Sequence, residues 1–209
     1  MRYTSWREEI GLKYDLNKKR TPTAQRILDT FSGALLELLQ EKSFDRITVN
    51  ELCIKTGIPR ATYYNYFDDK YDLLDYCWLL ISEAIGIGDH DRTAQLPLNQ
   101  YFDRLYDFLD RYRRRISEVV EHNPIDGTLI ASFTAYLKAK AQDILGESLS
   151  GINTNVPLAL LADYYGNTVL LILEWIFFNG HALSKQEAHQ YMTALLTSGE
   201  LIEGKTGRH

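Results

Sequence analysis

The sequence predicts an all-α protein of about nine helices, on three observations. No stretch alternates apolar and polar residues with the period of two that a half-buried strand requires. Apolar residues instead recur at i, i+3, i+4 and i+7 along most of the 209 residues. Helix start and stop signals punctuate the chain: Thr21-Pro22, the capping-box pairs Thr48/Glu51 and Ser184/Glu187, Gly57, and Asn179-Gly180.

Composition narrows the class. Hydrophobic residues make up 45% and charged residues 24%, as in an ordinary soluble globular protein. No uninterrupted apolar run reaches the roughly 18 residues of a membrane span; the longest, Val169 to Phe178, is broken by Glu174. The N-terminus is too polar for a secretory signal, so a cytoplasmic location and no membrane partner are expected. Cys53 and Cys77 fall on predicted helices and read as small core residues. His90, His122, His181 and His189 are scattered singly, and no metal-ligand spacing, G-x-S-x-G or phosphate loop occurs. Neither an enzyme, nor a cofactor, nor a metal site is expected.

Residues 1–21 form an extension ending in Asn17-Lys18-Lys19-Arg20, either a frayed terminus or a basic arm touching a polyanion's phosphates. Thr21 caps a first helix to about Glu41, with Ile27, Phe31, Ala34, Leu35, Leu38 and Leu39 on its apolar face. Arg26 lies either near a DNA backbone or in solvent. Phe44 and Ile47 read as core plugs in the connector. Thr48 and Glu51 box a second helix whose buried stripe is Val49, Leu52 and Cys53. Thr56-Gly57-Ile58 is a tight turn, and Pro59 opens a third helix to Tyr66. Asp68-Asp69 cap a connecting helix, Lys70 to about Gly86, that is apolar on two sides. Gly86 to Asp91 is a linker. A long helix follows from about Pro97 to Val120, then Gly127 to Leu145, a loop from Gly146 to Asn155, an apolar helix Leu158 to Phe178, and a last helix to about Thr197. The arginines 111 and 113–115 read as an anion contact or as a solvated face of i,i+4 pairs. The expected units are an extension (1–21), a head (22–70), a helical body (71–199, with 71–86 connecting) and a tail (200–209) with little to bury.

Two short helices joined by a glycine turn, the second carrying Arg60, Thr62, Tyr63, Tyr64, Asn65 and Tyr66, describe a DNA-binding helix-turn-helix. The net charge of −5 hides an asymmetry. Residues 1–70 hold 12 Lys+Arg against 10 Asp+Glu, whereas residues 71–209 hold 11 against 18. The basic bias lies on the half that carries the motif.

Thr48-Val49, Gly57-Ile58, Thr62, Tyr64, Phe67, Lys70 and Leu73-Leu74 resemble the DNA-binding domain of TetR/AcrR-family transcriptional regulators, over roughly residues 22 to 86. Cys53 stands where that family usually has Ala, and Tyr66 where His or Tyr is common. The resemblance and residue chemistry together assign Arg60 and Thr62 to base edges and Ala61 to close approach. Tyr64 and Lys70 are assigned to phosphates, and Asn65 and Tyr66 to either. Thr48, Lys19 and Arg20 complete the expected DNA set, while Tyr63 and Phe67 are packing residues.

The resemblance also implies a homodimer through the last two helices, with Leu161, Tyr165, Leu170, Leu173, Phe177, Tyr191 and Leu195 at the interface. It implies a cavity among the central helices for a small apolar or aromatic effector. Tyr101, Tyr106, Phe133, Tyr136, Tyr164, Tyr165, Trp175 and His122 are the candidate lining; aromatic stripes at helical spacing are more often core than pocket. The expected function is a sequence-specific repressor of double-stranded DNA released by an effector. The alternative is a co-activator acting through a protein partner.

Overall fold

Local signals set the first three helices. In the computed structural model, which describes residues 12–14, 21–87, 98–148 and 155–197, Thr21 Oγ1 accepts the Ala24 N–H at 3.2 Å. That cap opens α1 (Pro22–Leu38). A 3-10 turn (Phe44–Arg46) follows, then α2 (Val49–Thr56) and α3 (Arg60–Tyr66). Asp69 Oδ1 accepts the N–H groups of Tyr71 and Asp72 and so starts α4 (Lys70–Ile85). Gly86 ends it at φ 78°. The body comprises α5 (Leu98–Arg111), α6 (Arg113–His122), α7 (Thr128–Ser148), α8 (Leu158–Phe177) and α9 (Lys185–Thr197). The described residues thus form nine α-helices and no strand.

Two boundaries differ from expectation. The single long helix predicted from Pro97 to Val120 is broken at Tyr112, whose φ −104° and ψ 14° leave the helical region. No proline or glycine causes this. The Tyr112 N–H still reaches the Phe108 carbonyl and its own carbonyl still accepts from Ile116, so the axis bends while the ladder continues. The bend falls inside the crowded cations Arg111, Arg113, Arg114 and Arg115, where like charges at helical spacing repel. The helix α7 runs through Gly146 to Ser148, past the predicted loop start, because one glycine costs an established helix only about 1 kcal/mol. Helix α8, although interrupted by Glu174, is long and apolar enough by length and composition to cross a membrane. Here it is the central helix of the body, packed by α5, α6, α7 and α9.

The head packs α1 across α2 and α4. The Phe31 ring meets Tyr63 edge-on at 4.9 Å and Phe67 at 6.3 Å, so α1 braces α3 through aromatic contacts. Head and body are joined by buried polar bonds as well as apolar packing. Trp78 Nε1 donates to Ser132 Oγ at 2.8 Å, and the Tyr136 hydroxyl donates to Ser82 Oγ at 2.8 Å, fixing α4 to α7. Asn123, buried at the end of α6, reaches the head directly. Its Oδ1 accepts the Phe44 N–H at 2.7 Å, and its Nδ2 donates to the carbonyls of Leu39 at 3.2 Å and Val119 at 2.9 Å. An N–H can only donate and carbonyls can only accept, so these three partners fix the orientation of the amide. Cys53 and Cys77 are buried free thiols.

Candidate nucleic-acid interface

The helix-turn-helix is built from local bonds. Thr48 Oγ1 accepts the Glu51 N–H at 3.2 Å and Glu51 Oε2 accepts the Thr48 N–H at 3.1 Å, closing the predicted capping box. Lys42 Nζ lies 2.6 Å from Glu51 Oε1 and is the main reason the Glu51 carboxyl sits below its ordinary range. Gly57 has φ 68° with open space where a Cβ would go. The left-handed backbone, not crowding, therefore demands glycine there. Thr56 Oγ1 donates to the Leu52 carbonyl and accepts the Ile58 N–H, which tightens the turn.

Helix α3 is divided by face. Tyr63 and Phe67 point into the core, and the Tyr63 hydroxyl donates to the Asp69 carbonyl at 2.7 Å. Arg60, Ala61, Tyr64 and Asn65 are exposed on the other side, with Thr62 half-buried between them. Arg60 donates to the Tyr64 hydroxyl at 3.2 Å, and its guanidinium lies 5.8 Å from that ring. The two form a pre-set pair of donors and π-surface on the outward face. Arg26 is exposed on α1.

Other expected DNA contacts are placed differently. Lys70 donates to three carbonyls, those of Phe44, Asp45 and Ile47, each at 3.0 Å. Its ammonium also lies 4.7 Å from the Phe44 ring. An ammonium has three donors, and all three hold the 3-10 turn, so a phosphate contact by Lys70 would have to break them. Tyr66 is half-buried and stacks on Tyr14 at 5.5 Å, which withdraws it from the outward face. Lys13 beside it pairs with Asp68 at 2.7 Å. Thr48 is exposed, but its hydroxyl serves the capping box. Lys19 and Arg20 lie outside the described residues.

The expected effector aromatics do not converge. A cavity of about 350 Å³ lies between head and body, lined by α1, α4, α5, α6 and α7. Of the eight candidates only Phe133 lines it. Tyr101 faces a separate space of about 40 Å³. Tyr106 and Tyr136 are buried with their hydroxyls on the Leu183 carbonyl and Ser82. Tyr164 and Trp175 are exposed on α8, Tyr165 is half-buried there, and His122 is exposed at the end of α6. The lining of this cavity includes Trp78, Phe108, Leu109, Ile116, Val119 and Leu129. Sequence alone does not separate such residues from core, because an apolar side chain looks the same beside a neighbour or beside a gap. Among the described residues no group of three His, Cys, Asp or Glu could hold a metal ion.

The outer face of α8 carries a stripe at helical spacing: Leu160 (58% exposed), Tyr164, Leu171 (57%) and Trp175 (48%). Tyr191 and Leu195 of α9 extend it, and the Tyr164 hydroxyl donates to the Leu195 carbonyl at 3.0 Å. Leu173 and Phe177, expected at the dimer interface, are only 3% and 7% exposed and belong to the protomer's own core. Leu161, Tyr165 and Leu170 flank the stripe half-buried.

Residues 33–77 match the family model for bacterial regulatory proteins of the tetR family. No curated protein sequence matches the chain. Among solved structures, a TetR-family regulator from Syntrophomonas wolfei is similar at 17% identity and TM-score 0.57, over 83% of this chain and 94% of that one. A TetR regulator from Streptococcus agalactiae is similar at 16% and 0.58, over 82% and 94%. The dihydroxyacetone kinase operon activator DhaS is similar at 16% and 0.53, over 83% and 96%. The matched segment runs from within α1, through the whole helix-turn-helix, into α4. The chain therefore carries a TetR-family DNA-binding domain and has, as a whole, the fold of a TetR-family transcriptional regulator.

Proposed function

We propose that this regulator is a repressor that binds a near-palindromic operator as a symmetric dimer and leaves it when a small molecule fills the cavity between head and body. The outward face of α3 carries the reading. Arg60, Ala61, Tyr64 and Asn65 are exposed together on a helix whose opposite side is anchored by Tyr63 and Phe67. Arg60 is the residue for guanine edges in the major groove, Ala61 permits close approach, and Tyr64 and Asn65 supply donors to backbone or base.

The exposed stripe of α8 and α9 supports the dimer. An apolar row of this length, including a tryptophan, is covered in most stable proteins. Pairing it with a second copy is isologous and closes. Two heads would then meet DNA about one helical turn, roughly 34–36 Å, apart.

The test is a gel shift with the DNA upstream of the protein's own gene at two salt concentrations. Specific retardation surviving random competitor DNA supports the reading, and equal affinity for random DNA ends it. A second reading, activation through a protein partner, is supported by the fold shared with an operon activator. It predicts no shift of that DNA by the protein alone.

A further inference from the structure

We propose that the cavity between head and body selects an amphiphilic anion: an apolar body carrying one negatively charged headgroup, paired with Arg115. This rests on reading the cavity as the effector site, and it names the ligand class.

The closed end of the cavity is made by Leu39, Cys77, Trp78, Leu129, Ile130 and Phe133, all buried. Nothing there answers a charge. The Trp78 N–H is already bonded to Ser132, and burial pushes the Cys77 thiol well up, so it stays neutral. About 350 Å³ of such space suits the apolar part of a small ligand. The open side is different. Leu36, Ala84, Tyr112 and Arg115 line the cavity and are exposed.

Of the lining residues, Arg115 alone carries a charge. Arg113 pairs with Asp110 at 3.0 Å and Arg114 with Glu118 at 3.1 Å. Arg115, between the cavity and solvent, has no ion pair or hydrogen bond among the described residues. No aspartate or glutamate lines the cavity. A guanidinium is charged at every working pH and holds a carboxylate or a phosphate through parallel N–H bonds. A ligand cation at the same place would meet only repulsion.

The full-length protein, titrated calorimetrically with decanoate, decyl phosphate, 1-decanol and decylammonium, decides the matter. Decanoate or decyl phosphate should bind about tenfold more tightly than decanol, and decylammonium least; the stronger of the two anions identifies the headgroup. Arg115→Gln should bring both anions to within about threefold of decanol while leaving decanol unchanged. Equal binding of anions and decanol by the unaltered protein, or an undiminished preference in Arg115→Gln, overturns the proposal and leaves the cavity reading standing. Ala84→Trp, placed at the exposed mouth to spare the core, separates the two. It should abolish binding of all four compounds with the thermal melt unchanged. Unimpaired anion binding in that variant, or no binding by the unaltered protein, refutes the cavity reading and the proposal together.

Discussion

Asn123 holds the two halves of the molecule together, and its removal has a calculable cost. Asn123→Ala strands the Phe44 N–H and the Leu39 carbonyl in the interior, the partners lying 79 and 84 residues away in the chain. The third partner, the Val119 carbonyl, keeps the backbone N–H of residue 123 at 3.0 Å and loses less. Each stranded buried group costs about 1–3 kcal/mol, so the variant should lose roughly 2–6 kcal/mol. Against a total stability of about 5–15 kcal/mol this is a large fraction. Urea unfolding followed by circular dichroism measures it as a lower midpoint at unchanged slope. Asn123→Asp should be worse at neutral pH, since it turns a donor into a carboxylate facing two carbonyls. It should recover partly on acidification, when a protonated carboxyl can donate to one of them. A loss below about 1 kcal/mol for Asn123→Ala would refute the reasoning, because it would mean that water or a local shift satisfies those groups.

Arg60→Ala should cost on the order of 1–3 kcal/mol of operator binding and relax preference at one base pair; equal losses on operator and random DNA would remove Arg60 from base reading. Lys70→Ala should leave the salt dependence of DNA binding unchanged and lower stability by about 1.5–3 kcal/mol, since charge-assisted bonds to three carbonyls vanish. A salt slope reduced by about 1 would return Lys70 to the phosphates. Asp75 is half-buried, and desolvation, then the charges of Asp72 and Asp69, push its carboxyl up to about 6 from 3.8. A raised carboxyl favours the protonated fold, so its contribution is fully present below about pH 3.8 and is lost as pH rises through about 6. Asp75→Asn should thus stabilise the protein by on the order of 1–3 kcal/mol at pH 7.5, with little gain left at pH 4; an equal gain at both values would show that ionisation is not the cause.

Legibility followed the range of each interaction. The capping boxes and the Gly57 turn depend on neighbours within four residues, and pattern reveals those. The carbonyls that hold Lys70 were not legible because they lie 23 to 26 residues back, and a phosphate lysine and a carbonyl-holding lysine read alike. The stacking of Tyr66 on Tyr14 was not legible because Tyr14 lies outside the helix-turn-helix. In α8 nearly every position is apolar, so no pattern could say that Leu173 and Phe177 face inward while Leu171 and Trp175 face out. Asn123 showed only as a helix break before Pro124; a buried amide and a surface one have the same letter.

The cavity and the latch share residues. Leu39 and Val119, whose carbonyls Asn123 holds, also line the cavity. The same amide holds the Phe44 N–H, and the Phe44 carbonyl accepts from Lys70, the first residue of α4, four positions beyond the end of α3. A contiguous set of bonds thus runs from the cavity wall to the start of α4. Contiguity becomes control only where ligand and DNA favour different arrangements of the 3-10 turn that these bonds grip. On the proposed repressor reading, a compound that fits both arrangements equally would bind without releasing the operator, however tightly it binds. One that requires Leu39 or Val119 to move would strain the Asn123 bonds and favour release. Linkage then constrains the proposal: operator DNA would weaken that ligand by the same factor by which the ligand weakens DNA.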